Sequence, residues 1–130
     1  MKIPVTLNEM PFTFDTTPSE KLVSALRREK ILSVKNSCNT KTCGGCYILL
    51  DDKVIASCHI PVGLVKNSKI ITLEHFSKTE FYSDIIKGFD KAGISLCGYC
   101  NAGKVFLAYE IIKNISLYFK KILDFILLSC

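Results

Sequence analysis

Between residues 38 and 58 the chain carries Cys38, Cys43, Cys46 and Cys58, separated by four, two and eleven residues. No other feature restricts the fold as much. Thiols drawn to one point must close a loop, and residues 33–46, rich in Ser, Asn, Thr, Gly and Cys, have no helix or strand periodicity. Cys97, Cys100 and Cys130 bring the total to seven in 130 residues. An odd count leaves one thiol over from any complete disulfide set. Met1-Lys2-Ile3-Pro4 runs straight into alternating residues, with neither the apolar stretch nor the cleavage site of a secretory leader. No apolar run reaches the roughly 18 residues of a membrane span. The expectation is a cytoplasmic chain with reduced thiols, where clustered cysteines bind metal or do chemistry.

Composition narrows the function classes. With 48% hydrophobic and 22% charged residues, the chain is not disordered. The net charge of +5 is spread along the sequence. Residues 1–76 hold ten Lys/Arg and seven Asp/Glu, and residues 77–130 hold seven and five. Without a basic arm or patch, nucleic acid is not an expected partner.

The first half reads as strands around one helix. Ile3, Val5 and Leu7 alternate, and Phe12 and Phe14 alternate again after Asn8-Glu9-Met10-Pro11, which predicts a hairpin. Pro18-Ser19-Glu20 should open a helix through about Lys30, with Leu22, Val23, Leu26 and Ile31 on its apolar stripe. Tyr47–Leu50 and Val54–Ala56 flank Asp51-Asp52-Lys53, a second hairpin, and 70–73 form a last strand. A small mixed sheet with a helix on one face, an α+β packing, is the result.

After about Ser77 the pattern turns helical. Phe81, Ile85, Ile86 and Phe89 mark an amphipathic helix ending near Gly93. Val105, Ala108, Tyr109, Ile112 and Ile115 predict a second, and residues 117–128 a third. In the third, Lys120, Lys121 and Asp124 share one face and most other positions are apolar, so burial on more than one side is expected, in a bundle core or against a partner subunit. The boundary between the halves falls near 74–80, giving domains of 1–76 and 77–130.

The first four cysteines match the plant-type spacing for a 2Fe–2S cluster, C-x4-C-x2-C with a fourth further on. Four thiolates and two sulfides around two ferric ions leave a net negative charge. A loop poor in bulky side chains lets backbone N–H groups face the sulfurs, and Gly44 and Gly45 permit the conformations this needs. Cys58 follows a hairpin that can return it to the same site. Zinc is the competing occupant, but structural zinc sites usually pair two C-x2-4-C knuckles. Here Cys43 and Cys46 make one knuckle, and Cys38 and Cys58 stand apart. Buried or disulfide-bonded cysteines are the other alternative.

Cys97-Gly98-Tyr99-Cys100 is a C-x2-C between helical segments, unlike a thioredoxin-type dithiol, which usually follows a strand. Asn101 can cap the helix that begins near Gly103, where the dipole favours an anionic cluster. Cys130 lies thirty residues on. His59 is adjacent to Cys58, but a Rieske-type site uses two histidines and two cysteines. His59 and His75 are therefore read as solvent-facing or hydrogen-bonded.

Over its whole length the chain resembles the small iron–sulfur subunit of the molybdenum hydroxylases, the xanthine dehydrogenase / aldehyde oxidoreductase / carbon monoxide dehydrogenase family. The resemblance rests on C-x4-C-G-x-C-x11-C at Cys38–Cys58, on Cys97-Gly98-Tyr99-Cys100, on Gly103, and on the order of β-rich half before helical half. It implies a ferredoxin-like β-grasp domain in which Cys38, Cys43, Cys46 and Cys58 ligate one 2Fe–2S cluster, followed by a four-helix bundle. There Cys97, Cys100 and Cys130 supply a second, incomplete 2Fe–2S site. The family closes that site with a C-x-C pair whose first member Cys130 matches, which implies a chain truncated at its C-terminus. Leu96 stands where the family usually has a Gln that contacts the pterin, and Asn39 and Ala102 replace the usual Gly and Pro. The implied function is a single-electron relay within an oxidoreductase, not catalytic by itself. It would run from a molybdenum cofactor on a large subunit to FAD on a medium subunit or to an external acceptor. A free ferredoxin-like carrier using the first cluster alone, and a zinc-stabilised interaction module, are the rival readings.

Overall fold

The alternation of the first residues becomes β1 (Lys2–Leu7), which buries Ile3, Val5 and Leu7 and exposes the residues between them. It turns at Asn8-Glu9, both at positive φ, into antiparallel β2 (Met10–Asp15). Two left-handed residues at a two-residue turn match the twist of a hairpin. The expected turn was longer. Met10 and Pro11 instead pair with Leu7 and Thr6, and Pro11 is tolerated because β2 is an edge strand. The computed structural model describes residues 1–35, 45–93 and 101–128.

Helix α1 (Leu22–Arg28) is shorter than the sequence predicts. Pro18-Ser19-Glu20 does not open it. Those residues run alongside 60–63: Leu22 N–H donates to the Ile60 carbonyl, Val62 N–H to Glu20 and Gly63 N–H to Pro18. Residues 17–20 form a turn, with Glu20 N–H donating to the Thr17 carbonyl, and Lys21 is extended, so the helix starts only at Leu22. At the other end Lys30 adopts positive φ and Ile31 N–H closes on the Leu26 carbonyl, a six-to-one bond that stops the helix.

A second two-residue turn at Asp51-Asp52 joins β3 (Tyr47–Leu50) to β4 (Lys53–Ala56), again with both residues at positive φ. Strand β5 (Lys69–Ile71) pairs parallel with β1 and antiparallel with β3. The five-stranded mixed sheet runs β2-β1-β5-β3-β4. One face carries the main core: Leu22, Val23, Ala25 and Leu26 of α1 pack on Ile3, Val5, Phe14, Ile48 and Ile70. In β3 the neighbours Ile48 and Leu49 are both buried, in different cores, because the helices after the sheet cover its other face. That double burial explains why 47–50 reads as an unbroken apolar run.

The second core joins Leu49 to Phe76 of the one-turn helix α2 (Leu73–Phe76), Ile85 of α3 (Glu80–Lys91), and Val105 and Phe106 of α4 (Asn101–Leu128). Thr79 caps α3 by accepting from Tyr82 N–H. Helix α4 corrects the sequence reading. The separate helices expected at 105–115 and 117–128 are one continuous helix of 28 residues. Neither Gly nor Pro interrupts residues 104–128, and Asn114 and Ser116 are too weak as breakers to end it. Leu117, Lys120 and Lys121 are exposed in the single chain, so Leu117 is not in a core formed by this chain alone. Among the described residues no helix is long and apolar enough to cross a membrane.

Candidate metal centre

The ladder between β3 and β4 continues past its last strand pair, Tyr47 with Ala56. One step further, Ser57 N–H donates to the Cys46 carbonyl at 3.1 Å, and the Ser57 hydroxyl donates to the same oxygen at 2.6 Å. Ser57 begins a single 3-10 turn, Ser57–His59, whose next residue is Cys58. The hairpin thus returns the chain so that Cys58 lies one residue beyond the cross-strand neighbour of Cys46. Both cysteines are buried, at 1% and 2% exposure. His59 is exposed, in agreement with its reading from sequence. A cavity of about 210 Å³ opens beside Cys58, lined also by Ser19, Lys21, His59, Ile60 and Pro61.

The loop that precedes Cys46 is tied at its base. Lys35 N–H donates to the Gly45 carbonyl at 2.8 Å, which closes the segment 36–44. The Arg27 guanidinium holds the Val34 carbonyl at 2.8 Å. Glu74 accepts from Ser33 N–H at 2.9 Å and from the Ser33 hydroxyl. It also accepts from Thr72 Oγ1 at 2.9 Å. Burial pushes the Glu74 carboxyl up, but the bonds from Ser33 and Thr72 outweigh it and hold it below the usual carboxylate range.

Cys38 and Cys43 fall between Lys35 and Gly45 in sequence and lie outside the described residues, as do Cys97, Cys100 and Cys130. Among the described residues no three His, Cys, Asp or Glu side chains come together in a metal-ligating group. The donor chemistry of the described pair does fit an iron–sulfur cluster. Two buried soft thiols, Cys46 and Cys58, stand at one end of the hairpin. Helix α4 is described from Asn101 onward, next in sequence to Cys100.

The closed end of the same hairpin is fastened to α4. Tyr109 donates its hydroxyl to Asp52 Oδ1 at 2.8 Å, and Lys113 Nζ lies 2.8 Å from Asp52 Oδ2. Burial, then the bond to Asp52 and its charge, push the Tyr109 phenol up to about 12. Burial also pushes the Asp52 carboxyl up, yet Lys113 and Tyr109 together hold it below the usual range. Sequence reasoning missed Ser57, Glu74 and this clamp. Asp51-Asp52 was legible only as a turn, and Tyr109 only as part of an apolar stripe.

Comparison with known proteins adds relatives to this geometry. No protein-family model matches the chain. It is 34% identical over 103 residues to a xanthine dehydrogenase iron–sulfur-binding subunit of Escherichia coli O157:H7, covering 79% of this chain and 65% of the relative. It is 30% identical over 113 residues to the nicotinate dehydrogenase small FeS subunit of Eubacterium barkeri, covering 86% of this chain and 72% of that subunit. Among solved structures it is similar to quinoline 2-oxidoreductase from Pseudomonas putida 86, with a TM-score of 0.67 and 30% identity over 79% of this chain and 64% of that one. The chain therefore spans about two thirds of the length of the relatives it matches.

Proposed function

The chain belongs to the small iron–sulfur subunits of the molybdenum hydroxylase family, and from that premise we propose that it relays single electrons within a multi-subunit oxidoreductase. In this reading Cys38, Cys43, Cys46 and Cys58 hold one 2Fe–2S cluster. Cys97, Cys100 and Cys130 offer three thiols to a second. Residues 1–76 act as a ferredoxin-like β-grasp domain, and residues 77–130 as a helical cluster-binding domain. The relay runs between a molybdopterin-binding large subunit and a FAD-binding medium subunit or an external acceptor. Its place is the cytoplasm, where thiols stay reduced.

The observation that carries the proposal is the hairpin register. It returns Cys58 to one residue past the cross-strand neighbour of Cys46, and Cys38 and Cys43 precede Cys46 in sequence. When bound, such clusters supply one-electron redox chemistry at a potential tuned by burial and hydrogen bonds. The chain's own residues fix the ligands and exclude water. Lys35 and Gly45 close the loop, Ser57 holds the Cys46 carbonyl, and α1 with the sheet buries both described thiols.

Iron and acid-labile sulfide analysis with electron paramagnetic resonance tests the reading. Two distinct rhombic signals on reduction are expected, and Cys43→Ser should abolish one and spare the other. A single signal leaves a carrier with only the first cluster. Colourless protein that holds zinc sinks the proposal.

A further inference from the structure

Two polar side chains are buried in the described structure, Ser57 and Thr72. Thr72 is occupied by Asn8 and Glu74. Ser57 stands between the two described thiols in the chain's path, next to Cys58 in sequence and across the ladder from Cys46. The ladder already gives the Cys46 carbonyl one donor, the Ser57 N–H. An apolar residue at 57 would satisfy the fold. The hydroxyl, at zero exposure, is costly to bury unless its bond matters, and it spends that bond on the same carbonyl at 2.6 Å. A carbonyl oxygen has two lone pairs, and here both face donors of one residue.

We propose that Ser57 is a positioning residue for the first cluster. Its hydroxyl locks the Cys46 carbonyl, so the backbones that carry Cys46 and Cys58 keep one separation. It also offsets the negative end of a carbonyl dipole beside a group that becomes more anionic on reduction. The inference rests on the assignment of Cys46 and Cys58 as ligands of one cluster.

The test uses the cluster-loaded full chain and compares Ser57→Ala, Ser57→Thr and Ser57→Val with the wild type. Thr and Val have the same shape and differ only in the hydroxyl. The cluster of interest is identified as the signal that Cys58→Ser removes. Chelator-driven bleaching of that cluster should be about fivefold faster in Ser57→Ala and Ser57→Val, the change in rate that one lost hydrogen bond produces. Its midpoint potential should move negative, because a less compensated carbonyl opposes the added electron. Ser57→Thr should keep the wild-type rate and potential, and the other cluster's signal should not move. Equal rates and potentials for Thr and Val overturn the inference, as does a wild-type rate in Ser57→Ala. A wild-type chain that holds no cluster overturns the ligand assignment and this inference with it.

Discussion

Tyr109 donates its hydroxyl to Asp52 at 2.8 Å across 57 residues of sequence. This bond, with Lys113 on the same carboxylate, fastens the turn of the β3–β4 hairpin to α4. The open end of that hairpin bears Cys46 and Cys58, and α4 is described from Asn101, next in sequence to Cys100. The clamp therefore sets how the sheet lies against the helix that follows the second cysteine pair.

The clamp has a pH signature. Tyr109 is held neutral up to about 12, so the unfolded chain releases this proton first, near the ordinary phenol value of about 10. The stability it contributes is complete below that value and is lost as pH rises toward 12. Absorbance titration of phenolate should show one tyrosine ionising last, and Tyr109→Phe should remove that step. Asp52 behaves in the opposite sense. Its carboxyl is held low, so its contribution is present above the ordinary carboxylate range and fades as pH falls through the folded value. Because Asp52 is 62% exposed, Asp52→Asn should cost less than about 1 kcal/mol at neutral pH in a denaturant titration.

Glu74 anchors Ser33 just ahead of the cysteine loop. Glu74→Ala should lower stability by about 1 kcal/mol, since it removes hydrogen bonds to a charged but partly solvated group. Amide exchange at Ser33 should speed up in the variant. An unchanged rate at Ser33 would show that the anchor holds nothing.

Phe106 has no exposure and packs edge-on to Phe76 with ring centroids 5.2 Å apart. It stands in the core that joins Leu49 of the sheet to α3 and α4. Phe106→Ala should destabilise by about 3 to 5 kcal/mol through lost burial and the cavity left behind. Thermal melting monitored in the near ultraviolet checks this. A loss under about 1 kcal/mol would mean that the second core contributes little.

At Gly63 an added Cβ would lie 2.9 Å from the Pro18 Cβ and 3.0 Å from the Pro18 carbonyl oxygen. The Gly63 N–H donates to that same oxygen. Gly63→Ala should therefore force the 18–22 and 60–63 segments apart, at a cost of about 1 to 3 kcal/mol by chemical denaturation. Cys58 sits just upstream of that pairing, so under the proposed ligand assignment the signal that Cys58→Ser removes should broaden in the same variant.

Much of the sheet was legible because strand and hairpin signals are local. Alternation at Ile3, Val5 and Leu7 and the turn at Asp51-Asp52 each reflect neighbours a few residues apart. Where the reading failed, a distant segment decided the outcome. The start of α1 moved to Leu22 because residues 60–63 pair with 18–22. The two helices expected at 105–115 and 117–128 are one, since neither Gly nor Pro interrupts residues 104–128.

The sequence by itself determined the chemistry. Cysteines spaced by four, two and eleven residues supply soft thiols before and after a hairpin, and such spacing is a property of the chain that needs no fold to be seen. Only the tertiary structure decided what holds the segments around them. Ser57 meets Cys46 across 11 residues, Ser33 meets Glu74 across 41, and Tyr109 meets Asp52 across 57. No periodicity marks such pairs, because they form only after burial of the two cores has brought distant segments together.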